Sequence, residues 1–149
     1  MSKASVANRV EVRVFANKPG NKVVFTHDWS ANGGDPQDPP IDLPPKSGHW
    51  DLEIQLHDFT GLGLEFESKT NHGADDMWVH KGKGCPKGKG NGGGHVTFNS
   101  VTSDLLTVSD NTNGNGQPCD LHFMLCFKDA HGKKHPYDPI IRNGGTTGP

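Results

Sequence analysis

The sequence predicts an all-β protein, and three features of the chain point to it. Apolar residues alternate with polar ones at a period of two, which places neighbouring side chains on opposite faces of a strand. No stretch shows apolar residues at helical spacing over more than two turns. Five Asn-Gly pairs and a Pro-Gly pair favour the tight turns that connect strands. About eight short strands predict a small β-sandwich, with an immunoglobulin-like Greek key and two long irregular loops.

Two segments carry the clearest alternation, residues 9–16 and residues 51–58. In each, aliphatic side chains occupy one face and charged or amide side chains occupy the other. Residues 121–128 alternate as well, but neither face is charged before Lys128, which predicts a strand buried on both sides. The residues that we expect to be buried together are Val10, Val12, Val14, Leu52, Ile54, Leu56, Phe123 and Leu125.

Shorter segments complete the set of predicted strands. Leu62, Leu64 and Phe66 repeat the alternation. The other candidate strands are residues 22–27, 77–80, 95–101 and 105–109. Near the end of the chain, a turn at residues 130–134 should lead into an extended segment at the edge of a sheet.

The length of 149 residues predicts one domain. Residues 1–143 are predicted to form the sandwich, and residues 144–149 a flexible tail. No run approaches the roughly 18 apolar residues that span a membrane, so we expect no membrane insertion. The N-terminus lacks the apolar stretch of a signal peptide, and the count of three cysteines is odd. Both observations predict a cytoplasmic location.

Residues 81–94, the lysine-glycine segment, are the leading candidate for a functional loop. They read KGKGCPKGKGNGGG and contain four lysines and seven glycines. Because so little apolar surface cannot offset the entropy of ordering, a mobile, positively charged loop is expected. The spacing of a phosphate-binding P-loop is absent, so the alternatives are a loop without a partner and one that binds another protein, nucleic acid or an anionic surface. The candidate anion- or partner-binding residues are Lys81, Lys83, Lys87 and Lys89.

Residues 33–48 form a second unusual segment, rich in proline and aspartate. Their five prolines lack the N–H group that a strand ladder needs, so an extended, partly polyproline-like conformation is predicted. The acidic residues of this loop are Asp35, Asp38 and Asp42. Loops of opposite charge can pair within a molecule or between copies, or stay separately solvated, because a surface ion pair contributes only about 0–1 kcal/mol. A homo-oligomer is therefore one of the predicted assemblies.

Soft metal ligands occur at alternate positions of the segment 121–128. His122, Met124 and Cys126 are of the kind that hold copper, and they are the candidate metal ligands. The order Cys119, His122, Met124 resembles the ligand loop of the cupredoxins, which implies a copper site. In that family, however, the cysteine ends a strand and the gap to the methionine is longer. Packing of a second strand face explains these residues better, so we predict no tightly bound transition metal.

Nine histidines are scattered along the chain without a metal-binding motif, so their number permits a metal site but does not locate one. The pairs His27-Asp28 and His57-Asp58 resemble acid/base pairs, although neighbours along a strand point to opposite faces. The sequence therefore predicts a non-catalytic binding or self-assembly module without a cofactor, which uses its charged loops. The alternatives are a histidine-based metal-binding protein and an enzyme with a site at the His-Asp strand ends.

Overall fold

The structure, a computed structural model, describes residues 8–38, 40–43, 49–67, 77–81, 96–111, 119–137 and 140–143. All regular elements in these residues are β-strands, which confirms the all-β prediction. The strands are β1 (Asn8–Asn17), β2 (Val24–Ala31), β3 (Ile41–Leu43), β4 (His49–Asp58), β5 (Glu65–Phe66), β6 (Met77–Lys81), β7 (Val96–Val101), β8 (Leu105–Asn111), β9 (Cys119–Lys128), β10 (Lys134–Tyr137) and β11 (Ile140–Asn143). The described ranges contain no helix able to span a membrane.

The first sheet has five strands in the order β2-β1-β4-β8-β7. β1 and β4 pair in parallel, and the other neighbours pair antiparallel. The two strands with the clearest alternation thus lie side by side, with Val12 opposite Ile54. Their aliphatic faces form one continuous surface toward the core.

The second sheet is built around β9. Leu125 lies between Tyr137 of β10 and Met77 of β6, and Phe127 lies between His135 of β10 and Phe66 of β5. β5 and β6 therefore share one edge of β9. β10 and β11 both pair with the opposite edge of β9, β10 beside residues 125–128 and β11 beside residues 119–122. β3 pairs with β11 in parallel.

The two sheets bury one shared apolar core in a sandwich-like arrangement. All eight residues predicted for the core are buried and belong to one cluster, which confirms that prediction. Aromatic contacts join the sheets along one side, since Phe25 of β2 stacks on both Phe127 and Tyr137 of the second sheet. Alternate residues of β1, β4 and β9 therefore supply most of the packing between the layers.

Strand limits differ from the prediction where prolines and glycines occur. The alternation at residues 62–66 gives only the two-residue strand β5, because Gly61 and Gly63 adopt positive φ angles of 78° and 71° that interrupt an extended chain. β3 lies inside the proline-rich segment, where no strand was predicted. The predicted C-terminal edge segment forms β10 and β11, and β11 is not an edge because it lies between β9 and β3.

The loop after β4 is fixed by one carboxylate. Asp58 Oδ1 accepts hydrogen bonds from the Thr60 backbone N–H and hydroxyl, at 2.9 and 2.5 Å, and Oδ2 accepts from the Leu64 N–H at 2.9 Å. Partial burial raises the pKa of Asp58, but the hydrogen bonds to its carboxylate together outweigh burial and lower the pKa. The bonded carboxylate turns the chain from the first sheet toward β5 in the second.

Candidate functional site: a lysine-lined cleft

A cleft of about 440 Å³ opens between two turns at one end of the sandwich. The turn after β1 contributes Lys18 and Lys22, and the turn after β9 contributes Lys133. Lys134 and His135, at the start of β10, also line the cleft. Basic side chains from distant parts of the chain thus line one cavity, which we call the basic cleft.

Both turns owe their shape to glycine. Gly20 follows Pro19 and has a φ of 70°, which a residue with a side chain rarely adopts. Gly132 has a φ of 84° and donates its N–H to the Asp129 carbonyl at 3.0 Å. The Asp129 N–H donates in turn to the Lys133 carbonyl at 2.9 Å. The second turn is therefore tight, and it fixes the backbone of Lys133 at the cleft.

Among the described residues that line the basic cleft, Asp129 supplies the only carboxylate, and it is hydrogen-bonded within its own turn and to His135. Oδ1 accepts from the N–H groups of His131 and Lys133 at 2.9 and 3.0 Å, and Oδ2 lies 3.0 Å from His135 Nε2. The hydrogen bond with His135 and those from the two N–H groups lower the pKa of Asp129, against the opposing effect of burial. An ionised carboxylate only accepts, so His135 Nε2 is the donor.

Unpaired positive charge remains in the cleft after these contacts. Lys134 forms an ion pair with Glu67, with 2.9 Å between Nζ and Oε1. Lys18, Lys22 and Lys133 are exposed, and in the described ranges none of them pairs with an acid. Three cations around one cavity repel one another, and an anion between them would remove that repulsion. The arrangement therefore suits an anionic group.

Sequence reasoning missed the basic cleft, although each half is visible in the sequence. Residues 18–22 read KPGNK and residues 132–135 read GKKH, so each turn has lysines at its end. Lysine beside a turn is usually a solvated surface residue. Only the folded arrangement, which places the turns after β1 and β9 at the same end, shows that these lysines converge.

Of the residues that the sequence singled out for charge, the structure describes the side chains of Asp35 and Asp38. Lys81 is the last residue of β6, but its side chain and all of Lys83, Lys87 and Lys89 lie outside the described residues. Asp35 and Asp38 are exposed and follow β2. Asp42 lies in β3, and its side chain is outside the description. Binding by the lysine-glycine segment therefore stays a prediction.

Two of the candidate metal ligands, Met124 and Cys126, lie on the outer face of β9. Met124 is half-buried beside Trp78, which is opposite it in β6, and Cys126 is buried opposite Pro136 in β10. The Cys126 thiol lies 3.7 Å from the Met124 carbonyl oxygen. The side chain of His122 is outside the described residues. Among the residues described, no three His, Cys, Asp or Glu side chains form a group able to hold a metal.

The two His-Asp pairs do not form one site. His27 is opposite Val14 and faces the core, whereas His57 stacks on Phe15 with 5.3 Å between ring centroids. Val14 and Phe15 are consecutive in β1, so the two histidines lie on opposite faces of the first sheet. Asp28 forms a bidentate ion pair with Arg13 on the outer face of the first sheet.

His27 instead links the two sheets. Its Nδ1 lies 2.5 Å from the Tyr137 hydroxyl, and its Nε2 is buried without a hydrogen-bond partner among the residues that the structure describes. Burial lowers the pKa of His27, and the charge of Asp28 opposes this only in part. The imidazole is therefore held neutral in the folded protein at neutral pH.

Because His27 is neutral when folded, acidification should weaken the fold in a specific pH range. The unfolded chain binds a proton at the ordinary histidine pKa of about 6.5, so stability decreases as the pH falls below that value. We expect the urea midpoint to decrease between about pH 7.5 and pH 5.5, and to decrease less in His27→Gln. His131→Gln, at an exposed turn, is the control. An equal decrease in the wild type and His27→Gln would show that His27 is not the group responsible.

Comparison with known proteins gives no family for this chain. No family model matches it, and no curated protein is significantly similar to it in sequence. Its function is therefore inferred from the geometry and charge of the basic cleft.

Proposed function

We propose that the protein is a non-catalytic binding or self-assembly module, and that the basic cleft is its binding surface. The observation that carries the proposal is the convergence of Lys18, Lys22 and Lys133 on one cavity of about 440 Å³. The carboxylate in the cleft is already bonded to His135 and to backbone N–H groups. A preformed concavity with a few converging polar groups is the usual form of a ligand site.

The partner should carry at least two negative charges close together. Lysine binds phosphate and carboxylate groups as a point charge, without the planar geometry that arginine imposes. Because the lysines come from two turns, an extended anion can contact both turns at once. This chemistry suits a polyphosphate, a sulfated or phosphorylated chain, or an acidic peptide.

Titration with tripolyphosphate tests this function. We expect calorimetry to detect binding that weakens steeply between about 50 mM and about 200 mM salt. The variant Lys18→Ser/Lys22→Ser/Lys133→Ser should bind at least about tenfold more weakly, since each exposed charge contact contributes roughly 0.5–1 kcal/mol. These side chains are exposed, so the variant should keep the unfolding midpoint of the wild type.

The matched control removes the same number of charges from the lysine-glycine segment. Lys83→Ser/Lys87→Ser/Lys89→Ser should bind tripolyphosphate as the wild type does. If this variant alone loses binding, the site is the lysine-glycine segment and the assignment to the basic cleft is wrong. If the wild type binds no tripolyphosphate at low salt, the proposed anion binding is wrong as well.

Two further proposals concern the topology and the location of the protein. We propose the immunoglobulin-like Greek key as the sandwich topology; two facing sheets support it, but it must accommodate the parallel pairs β1–β4 and β3–β11. We also propose a cytoplasmic location, supported by the odd count of three cysteines in the chain. Fractionation of cells that express the full chain checks the location.

A further inference from the structure

We infer that the anionic partner of the basic cleft is a second copy of this chain, which presents Asp35 and Asp38 from the opposite end of its sandwich. The inference depends on the proposed function, since it names the partner of the same cleft. It is supported by the strand directions, by the fixed shape of the acidic segment (residues 33–38), and by complementary charges that have no ion-pair partner among the described residues.

The strand directions place the two charged surfaces at opposite ends. β1 and β9 both run toward the basic cleft, because the turns that follow them line it. β2 is antiparallel to β1, so it ends at Ala31, away from the cleft. Asp35 and Asp38 follow the end of β2 within a few residues. One copy therefore cannot place these carboxylates in its own cleft without unpairing β2.

The acidic segment is held in a defined shape. The backbones of Trp29 and Gln37 exchange two hydrogen bonds, with N···O distances of 3.1 and 2.6 Å. The Trp29 indole N–H donates to the Asp38 carbonyl at 3.0 Å, and the Gly34 N–H donates to the Ala31 carbonyl at 2.9 Å. The segment thus folds back on β2. Little conformational entropy is lost when a segment that is already ordered binds.

Both sets of charges are available to a partner. Asp35 and Asp38 are exposed, and in the portion of the chain that is described neither forms an ion pair. The same is true of Lys18, Lys22 and Lys133 at the other end. The net formal charge of the whole chain is only −2, so copies repel one another weakly while their ends are opposite in sign.

Different surfaces on opposite ends lead to head-to-tail association. Such a heterologous contact leaves one free basic cleft and one free acidic segment on every dimer, so copies add in rows or close into a ring. The contact is formed mainly by exposed charges, so it should be weak, dependent on protein concentration and sensitive to salt. Association that increases with protein concentration and decreases with salt can be measured by sedimentation.

The experiment removes the charges of one end at a time. Lys18→Ser/Lys22→Ser/Lys133→Ser neutralises the basic cleft, and Asp35→Asn/Asp38→Asn neutralises the acidic segment while asparagine preserves the side-chain shape. Sedimentation velocity at low salt should show concentration-dependent association for the wild type and a monomer for either variant alone. An equimolar mixture of the two variants should form a dimer and stop there, because it contains one intact pair of ends. High salt should return the wild type and the mixture to monomer.

Three results would overturn the inference. A wild type that stays monomeric at low salt while tripolyphosphate binds the basic cleft would leave the proposed function in place and exclude a second copy as the partner. Continued association of Asp35→Asn/Asp38→Asn alone would place the contact on another surface. A mixture that stays monomeric although the wild type associates would exclude the head-to-tail pairing. Each variant is compared with the wild type by its unfolding midpoint, so loss of folding is detected separately.

Discussion

Replacing Phe127 with alanine should destabilise the protein by about 3–5 kcal/mol. Phe127 is fully buried where the two sheets meet, with its ring centroid 4.9 Å from that of Phe66 and 5.4 Å from that of Phe25. Alanine removes the aromatic surface and leaves a cavity that strands on both sides prevent from collapsing, since β9 pairs along both edges. The free energy of unfolding in urea measures the loss.

Phe59→Ala is the matched control for this change. Phe59 is 67% exposed in the turn after β4, so the same substitution there should change stability by less than about 0.5 kcal/mol. A similar loss at both positions would contradict the assignment of Phe127 to the core. A loss below about 1 kcal/mol at Phe127 would mean that the cavity collapses or that the second sheet does not pack against the first there.

Ile54→Ala should cost about 2–5 kcal/mol for a related reason. Ile54 is 2% exposed and lies between Val12 of β1 and Leu106 of β8, at the middle of the first sheet. Its neighbour Gln55 faces the opposite side of the same strand, so Gln55→Ala should change stability by less than about 0.5 kcal/mol. If Gln55→Ala caused the large loss and Ile54→Ala the small one, the register of β4 would be shifted by one residue, because such a shift moves every side chain to the opposite face.

Where one face of a strand meets the core and the other meets water, the sequence was sufficient to predict the strand. β1 and β4 are such strands, and every aliphatic residue predicted from their alternation is buried. The pairing was not predictable, since nothing in the alternation distinguishes the parallel β1–β4 pair from an antiparallel one. β3 and β10 are short and lie beside or contain proline, so their hydrogen bonding depends on neighbours distant in sequence.

The basic cleft was not predictable because its parts belong to different turns. Lys22 and Lys133 are far apart in sequence, and each looks like an ordinary solvated residue at the end of a hairpin. Asp129 and His135 are six positions apart and come together because the turn between them reverses the chain. By contrast, the lysine-glycine segment is conspicuous in composition, and its role stays a prediction.

Chemical-shift mapping tests the central claim most directly, because it locates bound anion residue by residue. Tripolyphosphate added to isotope-labelled protein at low salt should move the backbone amide signals of Asn21, Lys22, Lys133 and His135 most, as neighbours of the basic cleft. The same titration of Lys18→Ser/Lys22→Ser/Lys133→Ser should leave those signals nearly unmoved. If the largest shifts occur instead at residues 81–95, or if no signal moves, the basic cleft is not the binding surface.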